Sequence, residues 1–294
     1  MNTINYIILC PAIIFLSGSL LMADPGITGG EILNINSSAK AASLGEAMAG
    51  RPGEITSTVY NPAGLYCVEG TNFEVSHMLY FLNTHLSTLG YGQKLENFSL
   101  GMYFKYFMAE DKARDIVGEE MDKELDINYG QYTVAVALPG ADEGQSWGAG
   151  VNLITESIYG ESDSALSFNV GWHYRLDDRT SAGVVARNVG QSIKVGDTEV
   201  DLPRQAALAG EYRIDKFDFL WEIVSSKEYT VGFKSGVEAS LSPGFDLRLG
   251  FSYITLPAVT LGFGVNKDYW IMDYAFMPHF DLGMTHRISL GIKL

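Results

Sequence analysis

At 294 residues, with 47% hydrophobic, 12% aromatic and only 19% charged side chains, the chain is too apolar for disorder and light in charge for a soluble surface. A formal net charge of −15 with no basic run excludes a nucleic-acid partner, because neutralising phosphates takes clustered Lys and Arg. Two cysteines, Cys10 and Cys67, are too few for a disulfide framework or a cysteine zinc site.

The chain begins with an apolar stretch. From Ile4 to Met22 it is almost wholly apolar and uncharged, ending in Leu20-Leu21-Met22-Ala23 ahead of Asp24-Pro25. This pattern predicts a signal peptide over residues 1–23, with its core from Ile7 to Leu16 and cleavage near Ala23. It lacks the usual positive n-region, since no Lys or Arg precedes Lys40. Two other readings stay open: an uncleaved anchor, and a lipoprotein at Cys10, although the apolar core continues past that cysteine. Removal of the stretch would leave Cys67 alone and exclude an internal disulfide.

Residues 24–70 differ in character. Ser37 to Gly50 is rich in Ala and Ser, with Ala41, Ala42, Leu44, Ala47 and Met48 at helical spacing, and Asn36-Ser37-Ser38 and Asn61-Pro62 offer caps. Two short helical turns are expected. So few large apolar side chains cannot form a core, so the segment must pack on something else. The lumen of a barrel is the nearest such surface. Within the segment, Asn61-Pro62-Ala63-Gly64 reads as a turn: Asn before Pro favours one, Pro lacks a donor and Gly permits a positive φ. A hinge in a confined space is its expected role.

From about residue 71 the pattern changes to period two. Leu166, Phe168, Val170, Trp172, Tyr174 and Leu176 share one face, opposite Ser167, Asn169, Gly171, His173 and Arg175. The same alternation places Phe98, Leu100, Met102, Phe104 and Tyr106 opposite Ser99, Gly101, Tyr103 and Lys105, and Phe245, Leu247, Leu249, Phe251 and Tyr253 opposite Asp246, Arg248, Gly250 and Ser252. Further candidates run over 71–81, 84–94, 127–138, 146–156, 180–190, 204–214, 216–225, 230–241, 258–266, 268–278 and 284–294. That makes about 14 strands, an even number as bacterial barrels require, at roughly 16 residues per strand plus turn. The longest gap, Ala109 to Asp126, is rich in Asp, Glu and Lys and reads as an exposed loop.

A soluble sandwich or solenoid would also alternate, but two features favour lipid. Aromatic residues fall toward predicted strand ends, at Phe104, Tyr106, Trp147, Trp172, Tyr174, Trp221, Tyr269 and Trp270, as interfacial girdles do. The C-terminus also alternates to its last residue, with Ile288, Leu290, Ile292 and Leu294 on one face. The predicted fold is therefore all-β: a transmembrane antiparallel barrel of about 14 strands over 71–294, with a short helical hatch, 24–70, in its lumen. Its expected setting is the bacterial outer membrane, in contact with outer-membrane lipid.

Several runs carry a family resemblance. Ser38-Ala39-Lys40-Ala41-Ala42-Ser43-Leu44-Gly45-Glu46-Ala47 followed by Val59-Tyr60-Asn61-Pro62-Ala63-Gly64-Leu65 resembles the N-terminal signature of the PorV/PorQ-type branch of the FadL/TodX outer-membrane superfamily. Asn188-Val189-Gly190, Leu202-Pro203-Arg204 and the run from Asp273 to Leu290 are similar to the same branch. The resemblance spans the mature chain and implies a fourteen-strand barrel with an internal hatch. FadL-type members pass long-chain fatty acids or other hydrophobic molecules; PorV-type members serve as partners in protein secretion. Leu294 departs from the Phe or Tyr that ends many barrels.

A fatty-acid channel needs a cation for the carboxylate beside apolar walls for the tail. The lumen-side candidates are Lys105, Arg175, Arg187, Lys234 and Arg248. They share their faces with Glu222, Glu238, Asp246 and Asp273, so ion-paired filling of the lumen is the competing expectation. No Gly-x-Ser-x-Gly and no metal spacing among His77, His85, His173, His279 and His286 is present, so no enzyme, metal or cofactor is expected. The expected function is a channel for hydrophobic small molecules such as long-chain fatty acids. The alternative is a PorV-like barrel that partners another envelope protein in secretion or assembly.

Overall fold

The computed structural model describes residues 29–35, 38–80, 84–114, 120–195, 198–226, 231–279 and 283–294. The predicted signal peptide, Cys10 and the Asn36-Ser37 part of the first cap lie outside them.

Strands form where the period-two pattern places them. The first seven are β1 (Thr71–Leu79), β2 (His85–Lys94), β3 (Ser99–Arg114), β4 (Glu120–Pro139), β5 (Gln145–Ile158), β6 (Glu161–Arg175) and β7 (Thr180–Gly190). A small hairpin follows, β8 (Ile193–Val195) with β9 (Thr198–Val200), which the sequence did not announce. The remaining seven are β10 (Gln205–Ile214), β11 (Phe217–Ser226), β12 (Gly232–Ser242), β13 (Phe245–Tyr253), β14 (Pro257–Lys267), β15 (Trp270–His279) and β16 (Gly283–Lys293).

All but β8 and β9 close into one antiparallel barrel of 14 strands, with β16 returning to β1. The last residue completes the seam: Leu294 N donates to Thr71 O at 2.8 Å and Thr71 N to Leu294 O at 2.9 Å. Closure leaves no strand edge, and only closed barrels and helices satisfy their backbone groups in lipid. No helix among the described residues is long and apolar enough to cross a membrane.

The faces sort as alternation dictates. Phe168 and Val170 of β6 are 50% and 53% exposed, while Ser167 and Asn169 between them are buried. On β13, Leu247 and Leu249 face out and Arg248 faces in. Apolar side chains therefore cover the outside, and burying each is worth about 1.5–3 kcal/mol, so this surface calls for lipid rather than water. Trp147, Trp172, Tyr174, Tyr269 and Trp270 lie near one end of the barrel, as a girdle would. Phe104, Tyr106 and Trp221 instead fall inside strands.

The expected loop at 109–126 is a correction. β3 continues to Arg114 and β4 starts at Glu120, pairing Ala109 with Ile127 and Lys112 with Glu124. Charge misled the reading there: a ladder satisfies the backbone whatever side chains it carries, so a charged stretch can still pair. The opposite end carries short turns, such as Asp215-Lys216 between β10 and β11.

The N-terminal segment is broken into four short pieces rather than two: 3-10 turns at Glu31–Asn34 and Pro62–Cys67, and helices at Ala39–Ser43 and Ser57–Tyr60. Ser38 caps the first helix, its Oγ accepting from Ala41 N at 3.2 Å. That helix stops at Ser43 instead of running on to Gly50, because Gly45 and Glu46 take left-handed φ values of 61° and 63°. The helix packs on β13–β16 and the turn Pro62–Cys67 on β2–β6, so the segment crosses the lumen from wall to wall.

Candidate functional site

Glycines on the inner wall seat this crossing segment. A Cβ on Gly236 would lie 2.7 Å from the Leu44 carbonyl oxygen, and one on Gly148 would collide with Ala63 N and the Pro62 carbonyl carbon. Gly250 and Gly171 are likewise closed off by Gly45 and Asn61. The small face seen in the sequence is thus the footprint of the hatch backbone.

Asn61-Pro62-Ala63-Gly64 sits at this contact, on β5, β6 and β7. Asn61 Nδ2 donates to Ala49 O at 2.9 Å and to Trp172 O at 3.2 Å, while its Oδ1 accepts from Ala63 N at 3.2 Å. Ser146 Oγ of β5 donates to Ala63 O at 2.9 Å. Gly64 does not take a positive φ; it is small because a Cβ there would meet Ser57 Oγ at 2.8 Å. The motif is a pinned joint between hatch and wall. Asn61→Ala removes three hydrogen bonds in a buried place and should lower stability by about 1–3 kcal/mol, read as a lower melting midpoint of the barrel in detergent.

Charge holds the rest of the hatch. Arg51 is buried, with Nη2 2.5 Å from Glu238 Oε1 and 2.9 Å from Asp218 Oδ2, and Nε 3.3 Å from Glu211 Oε1. Glu238 also accepts from Arg248 Nε, and Arg248 Nη1 reaches Asp273 Oδ1 at 2.5 Å. Lys40 Nζ lies 2.7 Å from Glu54 Oε1. Burial pushes the Glu54 carboxyl up, but Lys40, Lys293 and Arg51 outweigh it and hold the group down at about 2.

A second barrier lies beyond this network. Residues 29–35 form a strap: Gly30 N donates to Glu156 Oε1 at 2.6 Å, Gly29 N to Asp201 O at 3.0 Å, and Gln205 Nε2 to Asn34 Oδ1 at 3.2 Å. Its Ile32 packs with Met78, Leu86, Phe107, Ile154, Ile193 and Leu202 in an apolar cluster. The β8–β9 excursion supplies part of that cluster, which gives the unannounced hairpin its role. Where β7 leads into it, the β6 ladder shifts register between Phe168 and Val170, and Asn188, at φ 59°, donates its N–H to Asn169 Oδ1 at 2.9 Å.

Between strap and hatch is a cavity of about 310 Å³. Lys105, Arg187 and Lys234 all line it, together with Glu46, Tyr60, Gln131 and the apolar Leu33, Ile35, Val59 and Ile254. Lys105 Nζ donates to Ile35 O at 2.8 Å, Lys234 Nζ lies 3.0 Å from Glu46 Oε2, and Arg187 Nη2 lies 2.7 Å from Glu222 Oε1. The other two sequence candidates are elsewhere. Arg248 belongs to the hatch network, and Arg175 is exposed where β6 ends. The sequence reading missed Arg51, Glu54 and Glu46. Charged residues in a segment too poor to fold alone were the available signal.

No protein-family model and no curated protein matches the chain. Solved structures do. The Pseudomonas putida toluene transporter TodX is 12% identical, with a TM-score of 0.64 over 87% of this chain and 96% of that one. The CymD monoaromatic hydrocarbon channel is 11% identical, with a TM-score of 0.66 over 92% and 99%. A Pseudomonas aeruginosa FadL homologue is 10% identical, with a TM-score of 0.65 over 87% and 97%. At such identities the likeness is one of fold: a closed barrel of the FadL/TodX type.

Proposed function

We propose that this barrel is an outer-membrane channel for hydrophobic small molecules, and that its cargo is an amphiphile with an anionic head, such as a long-chain fatty acid. The observation that carries the proposal is the cavity between strap and hatch, in a barrel folded like channels for toluene and other hydrocarbons. Its mixed lining supports the finer point. Leu33, Ile35, Val59 and Ile254 suit a chain, whereas Lys105, whose Nζ meets backbone carbonyls and not a carboxylate, suits an anionic head and would be wasted on a neutral hydrocarbon. For passage the hatch must leave the lumen, with Asn61-Pro62-Ala63-Gly64 as the joint about which it turns.

Uptake of labelled oleate and of toluene by cells with and without the gene tests this. Lys105→Met is expected to slow oleate uptake by roughly 10- to 100-fold, the loss of one charge-assisted hydrogen bond, and to leave toluene uptake unchanged. Oleate uptake that ignores deletion of the whole gene would sink the proposal. A second reading, a PorV/PorQ-like partner barrel for secretion or assembly, is favoured by the buried ion pairs that fill the lumen around Arg51. It expects the barrel to leave the membrane in mild detergent bound to another envelope protein; a solitary barrel speaks against it.

A further inference from the structure

A separate cavity of about 190 Å³ opens at the short-turn end, between the hatch and the seam where β1 meets β16. In outer-membrane barrels that end faces the periplasm. Four carboxylates line it, those of Glu54, Glu74, Asp268 and Asp273, against three cations, Lys40, Arg248 and Lys293. Lys40 is committed to Glu54 at 2.7 Å, and Arg248 to Asp273 at 2.5 Å. Glu74 has no such partner. Its Oε1 is buried and has no hydrogen-bond donor among the described residues.

A second acceptor points the same way. Asn72, one inward position along β1 from Glu74, is 3% exposed, lines the same cavity, and its Oδ1 also lacks a donor. Flipping the amide does not cure this, because Nδ2 donates to Glu69 O at 2.7 Å and an oxygen in its place would face another oxygen. Two buried acceptors without donors, two positions apart on one face of β1 and lining one cavity, suit a group that brings positive charge or N–H donors to both. Buried acceptors are rarely left unmatched, and an unpaired buried carboxylate is costlier still.

We infer that Asn72 Oδ1 and Glu74 Oε1 form a binding site for one small monovalent cation, an alkali ion or a primary ammonium, entered from the short-turn end past Asp268. One carboxylate beside one neutral amide oxygen suits a single positive charge. The site is distinct from the cavity between strap and hatch, so it stands or falls independently of the channel reading.

Thermal unfolding of the full chain in detergent tests the inference, with potassium chloride, methylammonium chloride and N-methylglucamine chloride compared at equal ionic strength. Potassium or methylammonium is expected to raise the melting midpoint saturably, by about 2–5 °C over the bulky cation. Which of the two acts more strongly identifies the class. Glu74→Gln is expected to abolish the difference. Identical midpoints in all three salts, or a dependence that survives in Glu74→Gln, would overturn the site. Infrared spectra of the unsubstituted protein guard against a variant that fails to assemble: a cation-insensitive protonated-carboxyl band, assigned to Glu74 by isotope labelling, would mean that a proton fills the role.

Discussion

Gly148→Val is expected to unseat the N-terminal segment. The new Cβ would occupy the space of Ala63 N and the Pro62 carbonyl carbon, and both are backbone, so no side chain can swing aside. Overpacking of this kind costs about 1–3 kcal/mol, which multiplies the population of the displaced hatch by roughly 5- to 150-fold. Limited trypsin digestion reads this directly at Lys40, which is cleavable only once the segment leaves the wall, whereas the Arg51-Pro52 bond resists trypsin throughout. Cleavage within the hatch should speed up by that factor, and conductance across a planar bilayer should rise with it. Gly92→Ala is the internal control: its nearest neighbour, Ile55 Cγ1, lies 3.5 Å from the added carbon, an ordinary contact. Equal cleavage rates in the two variants would show that the glycine footprint does not hold the hatch.

Arg51→Met should act more strongly, through charge instead of shape. The guanidinium answers Glu211, Asp218 and Glu238 together, and Glu211 and Glu238 are buried. Removing one side of a buried ion pair typically costs 3–5 kcal/mol, because the remaining charge keeps its desolvation penalty without its partner. Hatch cleavage at Lys40 should then accelerate more than 100-fold. Adding Glu211→Gln to Arg51→Met removes one carboxylate whose remaining partner is the half-exposed Arg213, at 2.8 Å, and should restore part of the protection. If the double variant is no better protected than the single one, the network does not act as described.

These two variants also separate the functional readings. A channel should gain open time when the hatch loosens, and oleate uptake should rise or persist. A partner barrel has no use for an open lumen, and the same variants should weaken its complex without raising uptake.

Much of this architecture was legible in the sequence. Strand number, inward and outward faces and closure at Leu294 follow from period two, a local property that each strand displays by itself because lipid lies on one side of it and the lumen on the other. Where charged residues occupy both faces of a strand that signal vanishes, which is why Ala109 to Asp126 reads as a loop. The composition of residues 24–70, which cannot build a core, also pointed to a host surface, and the described helical pieces do pack on the strands.

Tertiary structure alone decided which charges meet. Lys105, Arg187, Lys234 and Arg248 occupy equivalent lumen-facing positions, yet three line the cavity and Arg248 clamps the hatch network. Arg51 meets Glu238 across 187 positions of sequence. An ion pair depends on a few ångströms of separation and on the exclusion of water, and neither is written in the order of residues. It is set when the barrel closes around the segment that fills it.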